Sequence, residues 1–237
     1  MTLKAILGKK IGMTQLFDED GNVCSVTAIE AGPCQIVQVK SFDKEGYNAV
    51  QIGFEDKKEK KTKKPLLGHF KKAGIVPKRF LKEVRVSPED KIDVGSTLSV
   101  DIFEEGEYVD VTGKSIGKGF QGCIKRHGWA KGPETHGSMS HREPGSMGAS
   151  AYPSRVVKGH PLPGHMGYDR VTVQSLEIIK IDKENNLILV KGHVPGKKNN
   201  LLMLKQAKKK PFKKEKVKKE EQPVQKKGKA PSKPKKK

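Results

Sequence analysis

Short apolar runs, rich in β-branched residues, alternate with polar residues up to about residue 113 and again from residue 169. Alternation with a period of two predicts half-buried β-strands, which Gly, Pro, Asn and Asp separate by turns. Strands are predicted over residues 5–17, 23–31, 34–41, 48–54, 81–86, 97–103, 108–112, 170–181 and 187–192. So many short strands with few helical stretches predict a mainly β chain that forms a closed or partly closed antiparallel β-barrel.

Two segments interrupt this pattern. Residues 55–80 begin with a run of charges and predict a small, partly helical basic insertion, with a helix from Pro65 to Ala73 that ends at Gly74. Residues 114–168 contain 11 of the 25 glycines, five of the seven histidines and few large apolar residues. A stretch of this length without its own core is uncommon unless it has a function or is disordered. We predict a long extended loop that leaves a body formed by residues 1–113 and 169–204.

The positive charge is large and unevenly distributed. The formal net charge is +21, and residues 205–237, with 16 Lys and three Glu, account for +13 of it. This Lys- and Pro-rich segment has too few apolar residues to fold alone, so we predict a disordered tail. A chain this basic favours a polyanionic partner, and a merely solvated basic surface is the alternative.

Cysteine usage and hydropathy indicate an intracellular protein. Cys24, Cys34 and Cys123 form no C-x-x-C pair, and their odd number does not suit a disulfide framework. No apolar run approaches the roughly 20 residues of a membrane span, and the first residues do not resemble a signal peptide. We therefore expect a soluble cytoplasmic protein with no membrane partner.

The motif GKGFQG, residues 117–122, fits the dinucleotide-binding pattern G-x-G-x-x-G. That site requires a helix opening at the third glycine, whereas Gly128, Gly132 and Pro133 interrupt the sequence that follows. A protein-kinase loop is also disfavoured, because no D-F-G or H-R-D follows. Close approach of the backbone to an RNA phosphate explains these glycines better. The glycines assigned this role are Gly117, Gly119, Gly122, Gly145 and Gly148.

The stretch HGSMSHREPGSMGAS, residues 136–150, has the composition of an active site or metal site. The pairs His136 with His141 and His160 with His165 are each five residues apart, which does not place both rings on one face of a helix, and no cysteine joins them. No serine lies in a G-x-S-x-G elbow. We therefore predict neither a metal site nor a catalytic site.

Binding of RNA accounts for more of the loop's residues together. Lys and Arg contact phosphates, while Trp, His and Tyr, including Tyr152 and Tyr168, stack on bases or lie against ribose. A disordered basic loop is the alternative. The residues predicted to contact RNA are Lys9, Lys10, Lys118, Lys125, Arg126, His127, Trp129, Lys131, His136, His141, Arg142, Arg155, Lys158, His160, His165 and Arg170.

Several separated motifs resemble the family of large-subunit ribosomal protein L3. The signature residues are Phe103, Asp110, Gly113, Ser115, Gly117, Lys118, Gly119, Gly122 and Arg126. The resemblance continues in LGKKIGMTQLF, KRHGWAKGPETHGSMSHREPGSMGAS, PGHMGYDRVTVQSLEIIKID and NLILVKGHVPG. It covers roughly residues 1–204, and the chain's length and loop are similar to bacterial members.

The resemblance implies a translation-protein-like β-barrel that binds 23S rRNA directly and early in assembly, with its loop directed toward the peptidyl transferase centre. It implies neighbours such as ribosomal proteins L14 and L19, and neither catalysis, cofactor nor small-molecule substrate. A free RNA chaperone or assembly factor is the alternative. Ala149 stands where some bacterial relatives have a methylated glutamine, so that modification does not carry over.

Overall fold

The computed structural model describes residues 3–17, 21–87 and 92–210. Most of its regular structure is β, as predicted. The strands are β1 Ala5–Phe17, β2 Val23–Ala31, β3 Cys34–Lys40, β4 Ala49–Asp56, β5 Lys78–Arg85, β6 Thr97–Leu98, β7 Tyr108–Lys114, β8 Gly119–Gln121, β9 Gly164–Met166, β10 Arg170–Asp182, β11 Leu187–Lys191 and β12 Leu201–Gln206. The helices are α1 Phe42–Glu45, α2 Lys64–Ala73 and α3 Cys123–His127, with 3-10 turns at Glu59–Lys61 and Val100–Ile102.

Six strands form a closed antiparallel barrel in the order β1-β12-β7-β10-β11-β2, which confirms the predicted fold class. Closure gives each of these six strands a hydrogen-bonded neighbour on both sides over at least part of its length. The barrel interior holds fully buried aliphatic side chains, among them Ile6, Ile29, Val111, Ile188 and Leu204. Burial of such side chains is the main source of stability in a domain of this size.

A second sheet, in the order β5-β4-β3-β6, packs beside the barrel and shares its core. Ile36 and Ile52 of this sheet are fully buried. Cys34 lies where the two sheets meet; its thiol donates a hydrogen bond to the Leu7 carbonyl, and burial raises its pKa to about 12. One continuous core therefore supports both sheets.

Helix α2 confirms the predicted helix in the basic insertion. Pro65 lies in its first turn, and Gly74 ends it in the left-handed conformation, with φ of 67°. The amide of Gly74 donates to the Lys71 carbonyl. Phe70 is the buried residue of the helix, and His69 Nε2 lies 2.7 Å from Gln51 Oε1 of β4, whereas Lys64, Lys71 and Lys72 are exposed.

The predicted strand over residues 97–103 is wrong beyond Leu98. Only Thr97 and Leu98 pair with β3, and a 3-10 turn over Val100–Ile102 follows. Val100 and Phe103 are both buried. Because they are three residues apart, an extended chain would have pointed them to opposite faces, and the turn brings both into the core.

Strand β12 was not predicted from the sequence, although it closes the barrel between β1 and β7. Leu202 and Leu204 are fully buried and Met203 between them is almost so, which removes the alternation expected of a half-buried strand. The strand continues to Gln206, and Ala207 is also buried, so order extends into the segment assigned to the tail. The rest of that predicted tail, residues 211–237, lies outside the described residues.

We expect Leu204→Ala to lower the free energy of unfolding by about 2–5 kcal/mol, because it removes a fully buried side chain from the closing strand. Phe42→Ala is the control, since that ring is 67% exposed and its loss should change stability by less than about 0.5 kcal/mol. Urea unfolding monitored by circular dichroism measures both. Equal effects of the two substitutions would contradict the closing role of β12.

Candidate nucleic-acid interface

The loop of residues 114–168 begins and ends on two neighbouring barrel strands. β7 and β10 are antiparallel, and Lys114 lies directly opposite Arg170 in their register. Two residues further into the barrel, the hydroxyls of Thr112 and Thr172 lie 2.8 Å apart across the same pair of strands. Since both ends of the loop are fixed by strand pairing, its first and last residues leave the barrel side by side.

Backbone contacts continue this pairing beyond the barrel. The amide of Ser115 donates to the Asp169 carbonyl at 2.9 Å, and the amide of Lys118 donates to the Met166 carbonyl at 2.9 Å. Strands β8 and β9 then form a short antiparallel ladder. The loop therefore has an ordered root, which we define as residues 114–127 together with residues 161–169.

Gly167 permits the close approach of the two arms in this root. Its φ is +78°, and a Cβ at this position would collide with the carbonyl oxygen of Ile116. Both the left-handed conformation and the lack of space require glycine here.

Helix α3 fixes the two arms to each other at the outer end of the root. Arg126 donates from Nη1 to the Leu162 carbonyl at 2.7 Å, and His127 Nε2 lies 3.0 Å from the same oxygen. Because a carbonyl only accepts, His127 donates from Nε2. Cys123 is buried, and its thiol approaches the Pro161 carbonyl at 3.7 Å. This helix was not predicted, because Gly122 and Gly128, which flank it, are both helix breakers.

Residues 128–163 contain neither helix nor strand. A few local contacts shape them: the amide of Gly132 donates to the His141 carbonyl at 3.0 Å, and His141 Nδ1 donates to the Pro133 carbonyl at 2.8 Å. His136 has a left-handed backbone, with φ of 58°. These contacts turn the backbone between Gly132 and His141 and leave Nε2 of His141 outside the hydrogen bond that Nδ1 makes.

The loop is exposed along almost its whole length. Of residues 114–168 only Cys123 is buried, and large side chains such as Met139 and Tyr152 are 94% and 88% exposed. Eight Lys and Arg against two Glu give these residues a net charge of +6. Among the described residues, the single ion pair of the loop joins Lys131 to Glu134 at 3.6 Å. Most of its cations are therefore available to an anionic partner.

Most of the residues predicted to contact RNA lie on this exposed loop. The exposed ones are Lys118, Lys125, Arg126, His127, Lys131, His136, His141, Arg142, Arg155, Lys158 and His165 on the loop, and Arg170 at the start of β10. Trp129 and His160 are half-buried against each other, with ring centroids 6.2 Å apart in an edge-to-face arrangement. His160 Nε2 is buried and has no hydrogen-bond partner among the described residues. Phe120 and His165 form a second edge-to-face pair at 5.8 Å.

Lys9 and Lys10 lie on β1, away from the loop's outer part. Lys10 donates from Nζ to the carbonyls of Val194 and Gly196, at 3.0 and 3.2 Å. Lys9 Nζ lies 3.9 Å from a carboxylate oxygen of Glu55. Both ammonium groups thus have partners within the fold, and their contact with RNA stays a prediction.

The glycines predicted to allow close approach are mostly open to solvent. A Cβ at Gly119, Gly122 or Gly145 would meet no atom within 4 Å, and the nearest contacts at Gly117 and Gly148 are 3.7 and 4.0 Å. Their role toward RNA stays a prediction. Within the chain, close contact is made instead at Gly132, Gly164 and Gly167, which face the Ser140 carbonyl, the Arg126 guanidinium and the Ile116 carbonyl.

Sequence reasoning missed a cluster of cations on the outer barrel face at the base of the loop. Besides Arg170 it contains Lys114, whose ammonium lies 4.0 Å from the Tyr168 ring centroid, and Lys205, which lies opposite Asp110 in the register of β12 and β7. Partial burial, with the nearby charges of Arg170 and Lys208, lowers the pKa of Lys205. These residues come from β7, β10 and β12, which are far apart in the sequence. The sequence alone therefore did not show that the residues lie on neighbouring strands.

Histidines and serines give the loop the residue types of a metal site or a serine catalytic site. No group of three or more His, Cys, Asp or Glu side chains in the described ranges is placed to hold a metal ion. The hydroxyls of Ser140 and Ser146 donate to Glu143 and Gly148 rather than to a histidine. No helix in the described part of the chain has the length and apolarity to cross a membrane.

The chain is a β-barrel protein with a long, basic, exposed loop. A loop with these properties suits a large polyanionic partner. Comparison with known proteins makes this specific: residues 81–186 match the family model of ribosomal protein L3. The chain is 55% identical over 204 residues to large ribosomal subunit protein uL3 of Carboxydothermus hydrogenoformans, covering 86% of this chain and 97% of that protein. It is 58% identical over 201 residues to the uL3 protein of Natranaerobius thermophilus, covering 85% and 95%. The chain belongs to the ribosomal protein L3 family.

We expect Gly167→Ala to loosen the loop root, because the added methyl group would collide with the Ile116 carbonyl in addition to straining the backbone. Gly159→Ala is the matched control, since Gly159 also has a positive φ, +85°, but open space around it. Native-state hydrogen exchange of the Ser115 and Lys118 amides should be about tenfold faster in Gly167→Ala than in the control. Equal exchange in both variants would contradict the packed root.

Proposed function

We propose that the chain is a structural constituent of the large ribosomal subunit and binds its 23S rRNA directly. The observation that carries this proposal is the loop of residues 114–168, which has a net charge of +6, one buried side chain and one internal ion pair. The names of the relatives, large ribosomal subunit protein uL3, support the same role.

The loop's chemistry suits folded RNA. Arg142, Arg155 and Lys158 are exposed cations that phosphates would neutralise with release of counterions. Tyr152 and the edge-paired Trp129 offer aromatic surface to unstacked bases. A loop with so little internal packing gains most of its order from such a partner, since ordering a backbone residue costs about 1–2 kcal/mol.

The cation cluster at the base of the loop is a second proposed phosphate contact. Lys114 and Arg170 are direct cross-strand neighbours, and like charges in that arrangement destabilise a sheet. Partial burial lowers the pKa of Lys205, and the nearby charge of Arg170 lowers it further. A phosphate between Lys114 and Arg170 would convert their repulsion into attraction, and would fix the barrel on the RNA where the loop enters it.

In this role the protein positions RNA and performs no reaction itself. We propose that the loop extends toward the peptidyl transferase centre, that binding occurs early in assembly, and that ribosomal proteins L14 and L19 are neighbours in the cytoplasmic ribosome. Early binding is consistent with a barrel whose core is complete without a partner. The loop can then order against RNA as the RNA folds around it.

A free RNA chaperone or assembly factor would have a similar basic surface, and sedimentation separates the two roles. An integral constituent stays with large subunits through a high-salt wash, because buried contacts with RNA are screened less than surface ones. An assembly factor would be released into the supernatant. Quantifying the chain in both fractions by mass spectrometry decides between them.

Contact of the loop with RNA predicts a charge-specific salt effect. Arg142→Ala should reduce the slope of log K against log salt for binding to large-subunit rRNA by about 0.7–0.9, because one phosphate contact is lost. Lys183→Ala is the control of equal charge change; that side chain is exposed but pairs with Asp101 at 3.0 Å, so the slope should not change. The same slope for wild type and Arg142→Ala would contradict phosphate contact at this position.

A further inference from the structure

The hairpin of β1 and β2 has an unpaired backbone edge. β2 accompanies β1 as far as Phe17, but β12 pairs only with Ala5 to Lys9 on the other side. Lys10 bonds to Asn199 and Asn200, and from Ile11 onward no described residue pairs with this edge. Along these seven residues, or roughly 23 Å of strand, the amides and carbonyls that point away from β2 therefore have no partner among the described residues.

Exposed apolar side chains lie along the same part of the hairpin. Met13, Phe17 and Val23 are 53%, 68% and 59% exposed, and Phe17 lies directly opposite Val23 in the register. On the opposite face of the hairpin, Cys24 and Val26 are buried. Three apolar side chains of the hairpin thus face solvent, on the same face as the exposed polar residues Gln15 and Ser25.

This edge lacks the features by which proteins usually protect an exposed strand. The sequence of residues 11–17, IGMTQLF, contains no lysine, no proline and no other charged residue. A single irregularity lies between Lys10 and Gly12, after which the register is continuous to Phe17. A regular, uncharged edge with apolar flanks can pair readily with another strand.

Charge makes RNA a poor occupant of this surface. Residues 11–25 contain no Lys or Arg, and in sequence they include Asp18, Glu19 and Asp20, a net charge of −3 in a chain of +21. Phosphates would be repelled, whereas a polypeptide with lysines or arginines would be attracted. RNA also cannot continue a β-ladder, which requires alternating amide and carbonyl groups.

We infer that the Ile11 to Phe17 edge of β1 is a docking site for an extended, basic segment of a neighbouring large-subunit protein, which adds to the sheet as a further strand. Backbone hydrogen bonds would supply affinity, and contacts with Met13, Phe17 and Val23 would supply selectivity. The inference rests on the proposed function, because the partner is a component of the same subunit. It assigns protein contacts to the hairpin and RNA contacts to the loop of residues 114–168.

Photo-crosslinking in salt-washed large subunits tests this site. p-Benzoylphenylalanine is placed at Phe17 in one strain and at Phe42 in another; Phe42 is the matched control, because the two rings are 68% and 67% exposed. We expect a product between position 17 and one short, contiguous segment of a single other protein, identified by peptide mass spectrometry. Position 42 should give no such product.

Two substitutions of opposite charge at Gln15, which is exposed on the same strand, distinguish a basic polypeptide from RNA as the occupant. In the Phe17 crosslinker background, Gln15→Lys should lower the yield several-fold, because it repels a basic strand and protects the edge. Gln15→Glu should preserve or raise the yield.

Three results would overturn the docking site while leaving RNA binding by the loop intact. They are a higher crosslinking yield in Gln15→Lys than in Gln15→Glu, a product with RNA at position 17, or no product at that position. Failure of all variants, and of the wild-type chain, to remain in washed subunits would instead overturn the proposed function and the docking site with it.

Discussion

Antiparallel pairing of β7 with β10 is the constraint on which the rest of the molecule depends. It holds Lys114 opposite Arg170, so the two ends of a 55-residue loop leave the barrel together. β7 is held in turn by β12, which closes the barrel against β1. Without that closure, β7 would be an edge strand held by β10 alone. The barrel thus fixes both ends of a loop that has almost no core of its own.

The structure divides its stability and its chemistry between different segments. Buried aliphatic side chains fill the barrel and the second sheet, whereas the loop has Cys123 as its one buried residue. Contacts such as Arg126 with the Leu162 carbonyl order the loop root, and farther out the exposed cations have few partners. Residues 136–150 have the composition of an active site, but their serines do not contact a histidine. Small polar residues and glycines also suit a surface that lies against another molecule.

Elements were predicted correctly where the hydrophobic pattern or the residues at the element's ends match its position in the fold. β2 alternates clearly, β1 and β2 were both predicted with the bounds observed, and α2 is marked by Pro65 and Gly74. β12 was missed because both of its faces are covered, and α3 because glycines flank it. The loop was recognisable as the candidate site from its composition. The roles of Lys114 and Lys205 were not, because their proximity to Arg170 arises from strand register rather than from distance along the chain.

Residue-level RNA crosslinking of intact large subunits tests the central claim most directly. If the loop is the RNA-binding element, crosslinked residues should concentrate between Lys114 and Arg170 and include Trp129 and residues near Arg142. Strand β11, on the far side of β10 from β7 in the barrel order, should give few or none. A loop free of RNA crosslinks, with crosslinks instead confined to the barrel surface, would contradict the account.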